Sequence, residues 1–194
     1  MNDEPKRYHH GDLRRALLDT ALEMLSRDDG WQFTLREVAR RAGVSHTAAY
    51  KHFSDKADLL AELALVGFER LREALIAARP AEPESLRVAY LEMSAAYVQF
   101  GTANPNLYRL TFSNEARISA NPRLKQRADA ALQVLIDLFV GGQRAGWLRE
   151  RDARAQANAA WAQLHGLVLL MIDGLLDEPI AAASLAIMLE GLEA

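Results

Sequence analysis

Cysteine is absent from the 194 residues of this chain, which excludes disulfides and thiolate metal sites. Long apolar runs are missing as well, because the richest stretch, 164–176, contains His165 and Asp173 and falls short of the ~18 residues that cross a bilayer. The N-terminal residues, MNDEPKRYHHGDLRR, lack the apolar block of a signal peptide. These absences predict a soluble cytoplasmic protein without a membrane partner.

Patterns typical of catalysis and of metal binding are also lacking. His9 and His10 are adjacent, and His46 and His52 have no cysteine or carboxylate partner at a zinc-ligand spacing. The glycines form no phosphate-binding loop, and no serine lies in a G-x-S-x-G nucleophile elbow. We therefore expect no catalytic residue, no metal site and no cofactor, and the chain is not predicted to be an enzyme.

Alternating β-branched runs are almost absent, whereas Ala, Leu, Arg and Glu dominate, which predicts an all-α protein. Half of the residues are hydrophobic, enough for a sizeable core. The periodicity predicts a first helix at about 11–28, a second at 35–42, a third at 46–52 and a long fourth helix that begins at 54–56 and ends near Arg79. Further helices are expected at about 84–103, 105–113, 122–144, 152–176 and 180–192.

The segment between the second and third helices carries the clearest local signals. Thr34 and Glu37 have the spacing of a capping box, in which each side chain bonds to the backbone of the other. Gly43 permits a tight turn, and Ser45 is suited to cap the next helix. The pattern predicts a helix-turn-helix.

Charge is distributed unevenly along the chain, whose net charge is −3. Residues 1–53 carry nine basic and eight acidic side chains, while the remainder carries 14 basic and 18 acidic ones. The basic part therefore coincides with the predicted helix-turn-helix, as expected for a surface that meets nucleic acid.

The stretch TLREVARRAGVS at 34–45, followed by YKHFSDKADLL at 50–60, resembles the TetR family of repressors over about residues 10–65. Further along, the segment 161–166, WAQLHG, is similar to the W-x-x-x-H-G signature of one C-terminal subclass. The resemblance implies a helix-turn-helix DNA-binding domain at 1–53 and a helical regulatory and dimerisation domain at 54–194. It also implies a homodimer on a palindromic operator in double-stranded DNA.

Phosphates are bound by cations, hydroxyls and the amides at helix N-termini, whereas sequence is read at base edges. By the resemblance, His46 matches a base-reading position, and Tyr50, His52 and Lys56 match phosphate contacts. The arm 6–10 is a further candidate for phosphate or minor-groove contacts. The predicted DNA-binding residues are Thr34, Arg36, Ser45, His46, Thr47, Tyr50, Lys51, His52 and Lys56.

Aromatic residues are concentrated in the second part, where a stripe at 3/4/3 spacing is formed by Tyr90, Met93, Tyr97 and Phe100. Such stripes are typical of a core, but the resemblance implies middle helices that surround a cavity for a small apolar or amphipathic effector. For His165 two interpretations stay open: a cavity wall, or a core histidine bonded to a neighbouring helix, with Gly166 allowing close packing. The predicted ligand-binding residues are Tyr97, Phe100, Tyr108, Phe112, Trp161 and His165.

The last two helices are expected, by the resemblance, to form an intermolecular four-helix bundle. Its predicted face consists of Ala157, Ala160, Leu164, Leu167, Val168, Met171, Leu185, Met188 and Leu189. The overall prediction is a ligand-responsive transcriptional repressor that an effector releases from its operator. The alternative is a helical DNA-binding or interaction protein without a small-molecule effector.

Overall fold

Nine α-helices and one 3-10 turn, and no strand, are formed within residues 10–27, 30–80, 86–116 and 121–191, which the computed structural model describes. This confirms the all-α prediction. The elements are α1 (His10–Arg27), α2 (Leu35–Arg41), α3 (His46–Tyr50), α4 (Lys56–Ala78), α5 (Leu86–Ala103), α6 (Pro105–Thr111), the 3-10 turn (Asn114–Ala116), α7 (Pro122–Arg144), α8 (Ala153–Ile172) and α9 (Glu178–Glu190).

The helix-turn-helix is built by the local signals that predict it. The backbone N–H of Thr34 donates to Glu37 Oε2 at 2.6 Å, and the N–H of Glu37 donates to Thr34 Oγ1 at 3.2 Å. Gly43 has a φ of 70°, the left-handed conformation that glycine adopts readily. Ser45 Oγ accepts the N–H of Ala48 at 3.2 Å and caps α3.

Most helix ends fall within one or two residues of the predicted ones. The larger difference is at α8, which ends at Ile172 rather than at 176, because Gly174 adopts a left-handed φ of 70° and turns the chain towards α9. Of the N-terminal arm 6–10, a candidate for DNA contacts, residues 6–9 lie outside the described residues.

Helix α4 lies at the centre of the fold and packs against α1, α5, α6 and α7. Its apolar face is buried along its length, from Leu59 through Phe68 to Leu75. Phe53, which precedes α4, is fully buried with the apolar side chains of α1 and α2. The helix-turn-helix and the helices behind it therefore share one continuous core through α4.

Two glycines set how closely the helices approach. A Cβ at Gly67 of α4 would collide with Thr111 of α6, and one at Gly101 of α5 would collide with Val168 of α8. By contrast, a Cβ at Gly166 would meet nothing within 4 Å. The prediction that Gly166 allows close packing is therefore wrong within the protomer, where Gly67 and Gly101 have that role.

The face predicted for the intermolecular bundle is directed inward. Its members on α8 and α9 are buried in the protomer core, and Met171 and Met188 pack against the same core. The prediction of this face as the contact surface is wrong, because periodicity shows which side of a helix is apolar but not what covers it. The apolar side chains that α8 and α9 do expose include Leu170, at 41% exposure, and Ile187, at 69%.

Among the described helices, not one combines the length and the apolar character that crossing a bilayer requires.

Candidate nucleic-acid interface and ligand cavity

The third helix presents a polar surface because its few apolar residues anchor it from behind. Ala49 is fully buried, whereas His46, Thr47 and Tyr50 are exposed. All nine predicted DNA-binding residues lie on α2, on α3, in the segments that flank these helices, or at the start of α4. Seven of them are exposed, and His52 and Lys56 are half-buried. Contact with DNA stays a prediction for each.

The hydroxyls of Thr34 and Ser45, which cap α2 and α3, differ in the hydrogen bonds that they can still make to DNA. The hydroxyl of Thr34 lies 2.9 Å from Glu37 Oε2 and donates to it, so its proton is already used. The backbone and side-chain hydrogen bonds from Thr34 also hold the pKa of Glu37 below its ordinary value, which keeps a negative charge beside the N-terminus of α2. Ser45 only accepts in its cap, and its own proton stays available for a phosphate.

Lys56 is the first residue of α4, after Asp55, whose carboxylate accepts the N–H of Asp58 at 2.8 Å and caps the helix. Its ammonium lies 5.9 Å from the ring centroid of Phe33, just ahead of α2. A cation over an aromatic face is held there by the ring quadrupole. The charge is thereby positioned at the junction of the helix-turn-helix with α4.

A buried carboxylate connects three helices behind this surface. Glu62 of α4, with a side chain only 9% exposed, accepts from Arg14 of α1 at 3.0 Å and from Arg123 of α7 at 2.6 Å. Burial opposes ionisation of Glu62, but the hydrogen bonds from the two arginines outweigh it and hold its pKa below the ordinary value. Sequence reasoning missed this cluster, although a lone glutamate within an apolar run was a signal.

An apolar cavity lies between α4, α5, α7 and α8. The volume of the cavity, including its mouth, is about 430 Å³. The centre of a water molecule could occupy only about 20 Å³ of this volume. No charged side chain is among the described residues that line it. The lining consists of Phe68, Leu71, Leu75, Met93, Ser94, Tyr97, Phe112, Ala128, Ala131, Leu132, Leu135, Trp161 and Leu164.

A chain of hydrogen bonds leads away from the cavity wall. Trp161 Nε1 donates to the hydroxyl of Tyr97 at 3.0 Å. That hydroxyl lies 2.9 Å from the hydroxyl of Tyr108, which in turn lies 2.7 Å from His165 Nδ1. Because Trp161 and His165 are four residues apart on α8, both ends of this hydrogen-bonded chain lie on one face of that helix.

The direction of this chain follows from counting protons. If His165 Nδ1 carried a proton and donated, Tyr108 would donate to Tyr97, and the Tyr97 proton would have no partner in the chain. A buried unpartnered donor costs about 1–3 kcal/mol. If Nδ1 accepts instead, both hydroxyl protons and the Trp161 N–H have an acceptor in the chain. The chain therefore runs from Trp161 through Tyr97 and Tyr108 to His165, with the imidazole proton on Nε2.

The members of the chain are uncharged at neutral pH. Burial raises the pKa of Tyr97 to about 12 and that of Tyr108 further still. Burial also lowers the pKa of His165 below its ordinary value of 6.5. Phe112 packs beside them, with its ring 4.7 Å from the His165 ring and 4.9 Å from the Tyr108 ring. Low polarity around such a chain strengthens its hydrogen bonds.

The predicted ligand-binding residues divide into three groups. Tyr97, Phe112 and Trp161 line the cavity, while Tyr108 and His165 are linked to it through the hydroxyl of Tyr97. Phe100 lies against Tyr108, with ring centroids 6.3 Å apart, and does not line the cavity. Ligand binding itself stays a prediction for all six.

Sequence reasoning missed the contributions of α4 and α7 to the cavity wall. On α4 these are Phe68, Leu71 and Leu75, whose spacing of three and four residues marks one helix face. The signal was present in the sequence, but it does not distinguish a filled core from a cavity.

Two family profiles match the chain. Residues 17–63 match the bacterial regulatory proteins of the tetR family, and residues 90–192 match the tetracyclin repressor-like C-terminal domain. An uncharacterized HTH-type transcriptional regulator of Haemophilus influenzae is 35% identical over 98 residues, which are 50% of this chain and 47% of that relative. The match thus spans about half the length of this relative.

Solved structures resemble the chain over nearly its whole length. A protein of unknown function from Rhodococcus sp. RHA1 is 34% identical with a TM-score of 0.86, and the match covers 98% of this chain and 100% of that one. A bacterial regulatory protein in the tetR family from Rhodococcus RHA1 is 22% identical with a TM-score of 0.73, over 93% and 96% of the two chains, and shares the fold. Together with the profile matches, this shows that the chain belongs to the TetR family, whose members are DNA-binding transcription regulators and not enzymes.

Proposed function

We propose that two copies of the chain form a two-fold dimer that represses transcription from a palindromic operator and is released by a small effector in the apolar cavity. The observation that carries this proposal is that one helix serves both sites. Helix α4 begins at Lys56, beside the polar surface of α3, and further along it supplies Phe68, Leu71 and Leu75 to the cavity. A displacement of α4 by a ligand would therefore move the helix-turn-helix.

The size of the cavity supports release. With about 20 Å³ open to a water centre, a ligand of several heavy atoms fits only if the lining moves apart. Such a ligand binds the displaced conformation better than the one described here. That difference in affinity is what shifts a conformational equilibrium, with typical couplings of about 1–3 kcal/mol.

A dimer is proposed because one helix-turn-helix buries too little surface for tight specific binding, and two-fold dimers match half-sites about one DNA turn apart. The proposed contact face is the outer side of α8 and α9, where Leu170 and Ile187 are exposed. Open space beside Gly166 would let a partner helix approach closely. A partner at this face would remove both apolar side chains from water, which is favourable.

In vitro selection of bound duplexes from a random DNA pool, at physiological salt, tests the proposal. Enrichment of one palindrome is the expected result and supplies the probe for a screen of effectors. If the folded dimer enriches nothing, the alternative of a non-specific DNA-binding or interaction protein without an effector is favoured.

The role of the cavity is tested by filling it. Ala131 is buried in the cavity wall, so Ala131→Leu should occupy the space that an effector needs and abolish release by any effector found; because the added carbon atoms also press the lining apart, operator affinity should fall. The matched control is Ala77→Leu at an exposed position of α4, which should respond as the unmodified protein does. Release that persists in Ala131→Leu would place the effector site elsewhere.

A further inference from the structure

We propose that the effector is an uncharged, mainly apolar molecule that donates one hydrogen bond, from an O–H or N–H group, to the hydroxyl oxygen of Tyr97. This inference rests on the proposed function for the use of the cavity. It adds the chemistry that the cavity selects and assigns a role to the Trp161 and His165 pair.

The hydroxyl of Tyr97 has one hydrogen-bonding position left for a ligand. This position is a lone pair, so it can only accept. A phenolic oxygen offers one proton and two acceptor positions. Trp161 Nε1, which only donates, occupies one acceptor position at 3.0 Å. The proton is directed to Tyr108 at 2.9 Å, because the chain runs towards His165. A ligand that reaches this hydroxyl therefore meets an acceptor and no donor.

His165 fixes this polarity from a distance, since its Nδ1 is the acceptor at the end of the chain, 2.7 Å from the hydroxyl of Tyr108. Trp161, one helical turn earlier on α8, supplies the donor at the other end. Trp161 and His165 thus lie at the two ends of the hydrogen-bonded chain, and the two hydroxyl protons between them point away from the cavity. His165 is thus a positioning residue, and Tyr97 is the group that touches the ligand.

The second polar side chain in the wall does not change this polarity. Ser94 is 1% exposed and its side chain bonds to that of Tyr90. Tyr97 is therefore the polar anchor of the cavity.

The lining also excludes charged ligands. Aromatic and aliphatic side chains make up most of it, and none of the described lining residues is charged. An ion in such surroundings loses its hydration without gaining a charged partner, which is strongly unfavourable. The rings of Phe68, Phe112 and Trp161 suit a flat aromatic body.

Three probes with one bicyclic skeleton test the hydrogen-bond polarity: indole donates through its N–H, indene has no polar group, and 1-indanone only accepts. Their affinities for the full-length protein are measured by isothermal titration calorimetry. Indole is expected to bind roughly three- to tenfold more tightly than indene or 1-indanone, which is the worth of one hydrogen bond. Equal affinities for indole and indene would overturn the proposal.

Removing a hydroxyl from the middle of the hydrogen-bonded chain should change which probe binds most tightly. In Tyr108→Phe, the proton of Tyr97 has no acceptor in the chain and turns to the cavity, so 1-indanone should gain roughly tenfold and the preference for indole should disappear. In Tyr97→Phe, the hydroxyl that accepts from the probe is lost and Trp161 Nε1 loses its acceptor, so the preference for indole should disappear and 1-indanone should bind at least as tightly. Thr111→Val is the matched control, because Thr111 is also buried and its hydroxyl donates to the backbone carbonyl of Leu107 at 2.7 Å, but it does not line the cavity; it should keep the preference for indole.

An unchanged preference in Tyr108→Phe, or no binding of any probe, would overturn the proposal. The same probes are then added to the complex with the selected operator. Selective binding without release of DNA would support the ligand class and contradict the proposed effector function. Release by indene as effectively as by indole would support that function and contradict the ligand class.

Discussion

Asn106 donates a hydrogen bond from its side-chain amide to the backbone carbonyl oxygen of Leu25 at 2.9 Å, across 81 residues of sequence. Leu25 lies near the end of α1, where helical carbonyls lack partners of their own. Two residues after Asn106, Tyr108 belongs to the hydrogen-bonded chain at the cavity, and Arg109 pairs with Asp173 after α8. The short helix α6 thus contacts the first helix, the cavity and α8 at once.

Asn106→Ala should weaken the response to an effector more than it weakens the fold. Loss of one hydrogen bond should lower the free energy of unfolding by about 1 kcal/mol, while displacement of α6 would no longer pull on α1. The measurement is the effector concentration that releases half of the operator, which should rise. Asn104→Ala is the matched control, because the side-chain amide of Asn104 donates to the backbone carbonyl of Phe100 at the end of α5, at 2.9 Å, and not to α1. An equal rise in both variants would contradict the coupling through Asn106.

How much of the structure could be predicted from the sequence depends on how far apart in the sequence the interacting residues are. The capping box of Thr34 and the turn at Gly43 depend on neighbours within four residues, so the helix-turn-helix can be predicted from the sequence. The bond between Tyr108 and His165 joins residues 57 apart, and which hydroxyl meets which imidazole depends on tertiary packing. The inward face of α8 was misassigned for the same reason, since an apolar stripe such as Leu164 and Val168 fits its own core as well as a partner.

Glu62→Gln tests the buried carboxylate that joins α1, α4 and α7. The free energy of unfolding at pH 7 should fall by about 1–3 kcal/mol, because two arginines lose their charged partner. The folded pKa of Glu62 lies below its ordinary 4.5, so its contribution is present above that pH and is lost as the pH falls through the folded value. Denaturant titrations at pH 7 and pH 3 should show the difference from the unmodified protein shrinking.

Glu69→Gln is the matched control for the same titrations. Glu69 is also on α4 and pairs with Arg127 at 2.6 Å, but its side chain is 33% exposed. Exposed pairs contribute about 0–1 kcal/mol. A loss as large as that of Glu62→Gln would mean that burial of the pair does not matter.

Gly67→Ala tests the close contact between α4 and α6. The added methyl group would collide with the side chain of Thr111, so the free energy of unfolding should fall by about 1–3 kcal/mol even though alanine favours a helix. The double variant Gly67→Ala with Thr111→Ala should recover part of the loss in thermal denaturation. Gly141→Ala has open space and should leave stability equal or raise it by about 0.4–1 kcal/mol; a loss there would show that any added methyl is harmful.

Lys56→Ala and His46→Ala should affect DNA binding differently. Lys56 is expected to neutralise a phosphate, so its removal should weaken binding to every sequence and reduce the slope of log affinity against log salt by about one. His46 is exposed on α3 and is expected at base edges, so its removal should change which sequences are enriched in selection. A changed sequence preference for Lys56→Ala with an unchanged salt slope would contradict these roles.

Ile187→Asp tests the proposed contact face between subunits. Ile187 is 69% exposed on α9, so a carboxylate there costs little in the monomer, whereas burial in a dimer would leave two unpaired charges across the two-fold axis. We expect a folded monomer by sedimentation equilibrium, and a loss of tight operator binding because each half-site is then bound alone. Ile76→Asp, at a 45% exposed position of α4, should stay dimeric. Since both changes remove an exposed isoleucine, a monomer in the second variant as well would show that added charge, and not the outer side of α9, controls assembly.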